Sequence, residues 1–133
     1  MRKLTFILLL LSCKAKSGIE IENPYARMGI KGGTSAVFMK IKNYEKTPDT
    51  LYEVICDCSN VSEIHETIIK GDLMEMRKKE FLVIDKEVEL KPMGLHIMLI
   101  NLNKELKEND TINLTLKFKR LGDRKIKVPV KKL

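Results

Sequence analysis

Residues 112–118 read Ile-Asn-Leu-Thr-Leu-Lys-Phe, and every second side chain in this stretch is apolar. Side chains of a β-strand point alternately to the two faces of its sheet, so a period of two predicts a strand with one buried face. The same period recurs at residues 37–42, 88–90, 95–100 and 126–130, and further strands are predicted at 51–56 and 61–69. No stretch shows the pattern of a long amphipathic helix. The sequence therefore predicts an all-β chain.

Turn-forming residues separate these runs. Gly, Pro, Asn or Asp occur at residues 31–33, 47–49, 70–72, 92–94, 108–110 and 121–123, and a further turn is predicted at Ser59-Asn60. Pro129 cannot donate a backbone hydrogen bond, so it favours an edge position for the last strand. Seven or more short strands at regular spacing are typical of a β-sandwich or a small barrel.

The N-terminus carries an export pattern. Arg2 and Lys3 precede an apolar run over residues 4–11, which is too short for a transmembrane helix but suits a secretory signal peptide. The end of this run, Leu10-Leu11-Ser12-Cys13, resembles the lipobox of bacterial lipoproteins, in which the cysteine is lipidated. A buried strand or helix is the alternative, but residues 14–18 do not continue the pattern.

These features predict a signal peptide of the lipoprotein type over residues 1–12, a lipidated tether over 13–18 beginning at Cys13, and one β domain over 19–133. The protein would lie on the periplasmic side of a bacterial membrane. The length of 133 residues leaves room for one domain.

The charge of the chain is basic but dispersed. The formal net charge is +7, and the two basic residues lost with the leader lower it to +5. Aromatic residues are few and do not alternate with the lysines, which argues against a nucleic-acid surface. We predict a monomer whose contact with the membrane is through its lipid.

Two histidines, each near methionines, are the candidate functional residues. On the strand over residues 95–99 the odd positions are aliphatic, so His96 and Met98 share the opposite face. His65 precedes the Gly71-Asp72 turn and Met76 follows it, so a hairpin can bring these two toward the first pair. Met74 lies on the same face as Met76 and is the reserve ligand.

The chemistry of this donor set favours copper(I). Thioether sulfur is a soft neutral ligand, which copper(I) accepts and which calcium, magnesium and zinc use little. A set that needs no thiolate also suits an oxidising compartment. The alternative is that the methionines are ordinary core residues. The sequence contains no activated-serine motif, phosphate-binding glycine loop or zinc-type cysteine spacing, so we expect a binding protein rather than an enzyme.

The ordered set resembles the PCuAC family of periplasmic copper(I) chaperones. His65 is followed by ten residues and Met76, then by nineteen residues and His96-Ile97-Met98. Further segments are similar to family motifs: residues 24–27, 35–39 with Asn43, Asp49 with Leu51, 64–66, and 90–96.

The resemblance implies a cupredoxin-like or immunoglobulin-like Greek-key β-sandwich or barrel. It also implies delivery of copper(I), held by His65, Met76, His96 and Met98, to the copper centre of cytochrome c oxidase subunit II. The sequence departs from the family in three places. The interval between Met76 and His96 is about two residues short, Met93 replaces a usual glycine, and Cys56-Asp57-Cys58 has no recognised counterpart.

Two cysteines remain after Cys13. If Cys56 and Cys58 lie on one strand, a disulfide between them would be strained, so we expect free thiols or soft-metal ligands. They could capture a second copper(I), or they could simply be packing residues near a strand end.

Two other functions stay open. A surface-anchored interaction module would leave the rings of His65 and His96 more than roughly 8 Å apart, since metal–nitrogen bonds are about 2 Å long. A blue-copper electron-transfer site would need Cys56 or Cys58 as a thiolate ligand.

Overall fold

The computed structural model describes residues 16–132, so the predicted signal peptide and Cys13 lie outside the described residues. Those residues form ten strands: β1 Ile19–Arg27, β2 Thr34–Asn43, β3 Asp49–Cys56, β4 Ser59–Lys70, β5 Leu73–Lys79, β6 Leu82–Ile84, β7 Glu87–Leu90, β8 His96–Leu102, β9 Thr111–Phe118 and β10 Gly122–Lys131. In the described part of the chain we find no helix long and apolar enough to cross a membrane.

The strands form one continuous hydrogen-bonded sheet in the order β5-β4-β8-β2-β1-β10-β9-β3-β6, and β7 pairs with β2. All pairs are antiparallel except β1 with β10, which meet over Ala26 and Arg27. Strands from both halves of this sheet bury their apolar side chains in a single core. The architecture is a β-sandwich, and the predicted all-β fold class is confirmed.

The alternating pattern over residues 112–118 forms the predicted strand, β9, with one buried face. Ile112, Leu114, Leu116 and Phe118 are all buried in the core. Burying such a side chain contributes roughly 1.5–3 kcal/mol, and a slip of one residue would turn all four to solvent. The burial pattern therefore fixes which face of β9 points inward.

Two expectations from the sequence are wrong. The chain turns at Asp57-Cys58 rather than at Ser59-Asn60, which begins β4. Cys56 therefore ends one strand and Cys58 lies in the turn, where the two sulfurs form a disulfide across a Cα–Cα distance of 5.2 Å. β10 lies between β9 and β1 in the strand order, but it pairs with β1 only over Val130 and Lys131, so Pro129 lies at the end of the stretch of β10 whose β1 side is unpaired.

Two polar residues quoted for the family resemblance brace the fold. The buried Asp49 carboxylate accepts hydrogen bonds from the backbone N–H groups of Thr50, Arg120 and Leu121, which fixes the β9–β10 turn. The Asn43 amide donates to the carbonyls of Thr47 and Ile84. Their roles are structural, and they lie away from the histidines.

Candidate metal centre

Strand register places the four predicted ligands on one face of the sheet. His65 on β4 lies directly opposite His96 on β8, so Met98 is its diagonal neighbour. On the other side His65 lies opposite Lys78 on β5, which makes Met76 its diagonal neighbour there. Diagonal pairs are about 7–8 Å apart between Cα atoms, within reach of long side chains. His65 is thus the common neighbour of the other three residues.

The two imidazole rings face each other, with 5.8 Å between their centroids. This separation is shorter than the roughly 8 Å that would indicate histidines with no shared metal. His96 is buried, and its Nδ1 lies 3.0 Å from the carbonyl oxygen of Gly94. A carbonyl can only accept, so Nδ1 carries the proton and the lone pair of Nε2 is left for another partner.

Three of the four ring nitrogens of this pair are buried without a hydrogen-bond partner. Within residues 16–132, the buried side-chain nitrogen and oxygen atoms without a partner are Nδ1 and Nε2 of His65 and Nε2 of His96. Leaving such an atom unpaired costs about 1–3 kcal/mol, so these positions are unfavourable unless something binds there. The donor set therefore fits a metal ion that accepts imidazole nitrogen.

The charge state of His65 also suits metal binding. Burial lowers the pKa of its imidazole below the ordinary value, and the positive charge that His96 can carry acts in the same direction. Glu63 opposes this shift, with its carboxylate oxygen 3.8 Å from Nε2 of His65. The net direction is downward, so the ring is neutral at pH 7, the form that binds a metal.

The side chains of the other predicted ligands lie at or near the surface. Met76, His96 and Met98 line a cavity of about 360 Å³, and His65 lies beside it, against the His96 ring. Met76 is exposed and Met98 partly buried. The reserve ligand Met74 lines the same cavity but lies opposite Ile69, farther from His65 than Met76 does. The site is open and could exchange an ion.

The period of two over residues 37–42 puts Phe38 on the face opposite the core residues Val37, Met39 and Ile41, yet its side chain is buried as well. Its ring lies 6.4 Å from the His96 ring and 5.2 Å from that of Tyr25, and the Arg27 guanidinium lies 5.1 Å above it. Phe38 therefore forms the floor of the site. A signal was present, because Phe38 is a large aromatic residue on a face that also carries Lys40 and Lys42.

The cysteines do not join this site. Ser59 pairs with Leu102 and His65 pairs with His96, so the turn that holds Cys58 lies about 20 Å along β4 from His65. Both sulfurs are also committed to the disulfide, and both side chains are buried. A blue-copper arrangement with a cysteine ligand is therefore not formed in this structure.

The architecture is similar to that of several solved domains. Superposition on the "Copper-bound PCuAC domain from PmoF2" gives a TM-score of 0.73 at 22% identity, covering 88% of this chain and 95% of that one. The copper(I) form of DR1885 from Deinococcus radiodurans gives 0.68 at 22% identity, covering 92% and 83%. The molecule is thus a small β-sandwich with the fold of PCuAC domains, as the resemblance implied.

Sequence comparison assigns the family. The LpqE-like family, described as "Putative lipoprotein LpqE-like", matches residues 19–130, and the chain belongs to it. A relative from Leifsonia xyli subsp. xyli, "Putative lipoprotein Lxx21020", is 26% identical over 121 residues, which cover 89% of this chain and 72% of that protein.

Proposed function

We propose that this protein is a copper(I) carrier rather than an enzyme and that it binds one ion through His65, Met76, His96 and Met98. The observation that carries this proposal is the pair of adjacent histidine rings. Three of their four nitrogens are buried without a hydrogen-bond partner, and two methionine thioethers lie on the same face of the sheet. Copper(I) satisfies those nitrogens and accepts thioether sulfur.

The neutrality of the four donors supports a monovalent soft ion. Two imidazoles and two thioethers bring no negative charge to the metal, whereas calcium and magnesium prefer oxygen ligands. The solved domains with this fold include one titled copper-bound and one titled with copper(I). These titles describe those proteins, and they support the same cargo here.

The proposed location and partner follow from the sequence. We infer that residues 1–12 are removed, that residues 13–18 tether the domain through lipid on Cys13, and that the domain acts as a monomer on the periplasmic side of a bacterial membrane. The lipoprotein descriptions of the family and of the Leifsonia relative support an exported, anchored chain. The proposed receiver is the copper centre of cytochrome c oxidase subunit II, which rests on the family resemblance.

The ligand assignment is tested with Met98→Leu, which keeps volume and removes sulfur. Competition with a copper(I) chelator should show affinity reduced by about tenfold or more, with little change in the unfolding midpoint. NMR of wild type should show copper(I) shifting both histidine rings.

Met39→Leu is the matched control, because Met39 is buried in the core on the other face of β2. It should bind copper(I) as tightly as wild type. Equal affinity in Met98→Leu and wild type would remove Met98 from the ligand set, and unshifted histidine rings would overturn the proposed function.

A further inference from the structure

Strand β5 lies at one end of the sheet and carries a proposed copper ligand. It pairs with β4 along one edge, and its other edge has no neighbouring strand among residues 16–132. β6, at the opposite end of the strand order, has only three residues, two of them buried. β5 has seven residues, of which six are exposed, and the proposed ligand Met76 is the central one. The longer of the two terminal edges is thus the one beside the metal centre.

The hairpin shows which backbone groups of β5 point outward. Residues 71–72 form a two-residue turn, so the flanking Lys70 and Leu73 are a hydrogen-bonded pair. Hydrogen-bonded and non-hydrogen-bonded pairs alternate along an antiparallel ladder. Every second residue after Leu73 therefore directs its N–H and C=O groups away from β4. These outward residues are Met74, Met76 and Lys78.

A separate contact agrees with this assignment. Thr67 lies opposite Met76 on β4, and its N–H donates to the carbonyl oxygen of Gly94 on the far side rather than to β5. Within residues 16–132, no backbone hydrogen bond reaches the N–H or C=O groups of the outward residues. Such a row of unpaired donors and acceptors is a template on which a further strand can pair.

The sheet face beside this edge is apolar. Ile69 lies directly opposite Met74, and Thr67 directly opposite Met76, so these four side chains share the face that carries His65. Ile69, Met74 and Met76 are 61%, 55% and 56% exposed. Adjacent exposed apolar side chains mark surfaces that another molecule covers, and methionine adapts to the shape of a partner.

The charges of β5 indicate the kind of partner. Arg77, Lys78 and Lys79 stand against one acidic residue of the strand, Glu75. The two lysines form ion pairs with carboxylates of β4, whereas the exposed Arg77 has no ion pair within the described residues. Lysines on an edge strand oppose indiscriminate pairing, and a segment that carries carboxylates is attracted instead. The edge therefore fits an extended acidic segment.

A strand added here would also reach the metal ligand. A residue directly opposite Met76 on the added strand lies on the same face, with its Cβ about 4.5–5.5 Å from that of Met76. Met76 is exposed, whereas His96 is buried. A donor atom on the added strand can bind copper(I) as the Met76 thioether releases it. One ligand bond forms as another breaks, and no electron is transferred.

We propose that the outer edge of β5 is the docking site of the copper-receiving protein. The receiver adds an extended acidic segment to the sheet as a further strand and takes copper(I) by way of Met76. This inference rests on the proposed carrier function and specifies how its receiver is engaged.

Amide hydrogen exchange tests the strand addition. The chain from residue 13 onward, carrying Cys13→Ser and loaded with copper(I), is mixed with an excess of the metal-free copper-binding domain of cytochrome c oxidase subunit II. The amides of Met74, Met76 and Lys78 should exchange at least about tenfold more slowly than in the chain alone, because they become hydrogen-bonded. The amides of β6, at the other end of the sheet, are the internal reference and should not change.

Two variants at one position separate the backbone from the side chain. Met74→Pro removes an outward N–H at a position where an edge strand tolerates proline, and Met74→Leu removes the sulfur but keeps the N–H. Copper(I) transfer to the receiver should be at least about fivefold slower from Met74→Pro than from Met74→Leu. Both are loaded with copper(I) before mixing, so the comparison concerns transfer and not loading.

A charge reversal provides a second measurement that leaves the backbone intact. Arg77→Glu should slow transfer at least about fivefold, because it repels an acidic segment. Lys127→Glu makes the same change of charge at an exposed position of β10 and should transfer copper(I) at the wild-type rate.

Unchanged exchange of the outward amides while copper(I) is transferred would overturn the edge site and leave the carrier function intact. Equal transfer from Met74→Pro, Arg77→Glu and wild type would overturn it as well. If wild type transfers no copper(I) and its amides do not change, the receiver and the edge site are both wrong. Copper(I)-induced shifts of the histidine rings would still support the carrier function in that case.

Discussion

At the scale of single residues, the site depends on two histidines held in different ways. His96 has its Nδ1 beside the Gly94 carbonyl oxygen, which selects one tautomer and aims Nε2 at the shared face. The nitrogens of His65 have no such partner within residues 16–132. His65 is therefore the proposed ligand whose protonation would compete most directly with the metal.

The first prediction concerns the pH dependence of His65. Its pKa is lowered from 6.5, chiefly by burial, so in the metal-free domain the ring should titrate below that pH. An unfolded chain binds this proton at higher pH than the folded one, so the contribution of His65 to stability is present above pH 6.5 and is lost as pH falls through the folded pKa.

NMR titration of the His65 ring in the metal-free domain tests the pKa directly, with His65→Gln to assign its resonance. The free energy of unfolding, followed from pH 7.5 downward, should decline less in that variant, since it has no proton to bind. A midpoint for His65 above 6.5 would contradict the prediction.

At the scale of secondary-structure elements, much of the site was predictable. The alternation over residues 95–99 correctly separates His96 and Met98 from the core side chains of Ile97 and Leu99. The hairpin that brings Met76 toward His65 follows from Gly71-Asp72. Both features are local, because they depend on the period of a strand and on the residues that a tight turn prefers.

Pairing between distant strands could not be predicted from local pattern. Nothing in the sequence of β4 or β8 states that His65 lies opposite His96, since register is set by the whole buried face and by turn geometry. The turn after β3 was also misplaced, at Ser59-Asn60 instead of Asp57-Cys58, which led to the wrong expectation for Cys56 and Cys58. An error of two residues in a turn changes whether two side chains share a strand.

The second prediction concerns the brace formed by Asp49. Asp49→Ala removes the acceptor of three backbone N–H groups, so we expect a loss of about 3 kcal/mol in the free energy of unfolding, measured with urea. Asp123→Ala is the control, because that exposed carboxylate makes one ion pair, with Lys117 at 3.7 Å, worth at most about 1 kcal/mol. Equal effects in the two variants would contradict the bracing role.

The third prediction concerns the disulfide. In Cys56→Ala/Cys58→Ala the affinity for copper(I) should equal that of wild type, because the turn lies about 20 Å along β4 from His65. The disulfide closes a loop of only three residues, so its loss should cost no more than about 1.5 kcal/mol of stability. A copper equivalent that disappears in this variant would show that the cysteines bind metal after all.

At the scale of the whole molecule, the N-terminal start of β1 and the candidate site lie at opposite ends of one strand. β1 begins at Ile19, next to the predicted tether, and ends at Arg27, which lines the cavity. Eight residue steps of a strand span about 25 Å. A domain anchored before β1 therefore holds the cavity away from its attachment point, where another protein can reach it.

The last prediction tests that attachment. Lipid on Cys13 would make membrane binding durable, since each buried methylene contributes about 0.8 kcal/mol and bacterial lipoproteins carry more than one acyl chain. Cys13→Ser should leave the precursor uncleaved or mislocalised, detected by fractionation and by the mass of the N-terminal peptide. Because residue 13 precedes the folded domain, copper(I) affinity of the purified variant should match that of wild type. Ordinary processing of Cys13→Ser to a soluble secreted product would instead show that the leader is a simple signal peptide and that the domain acts without an anchor.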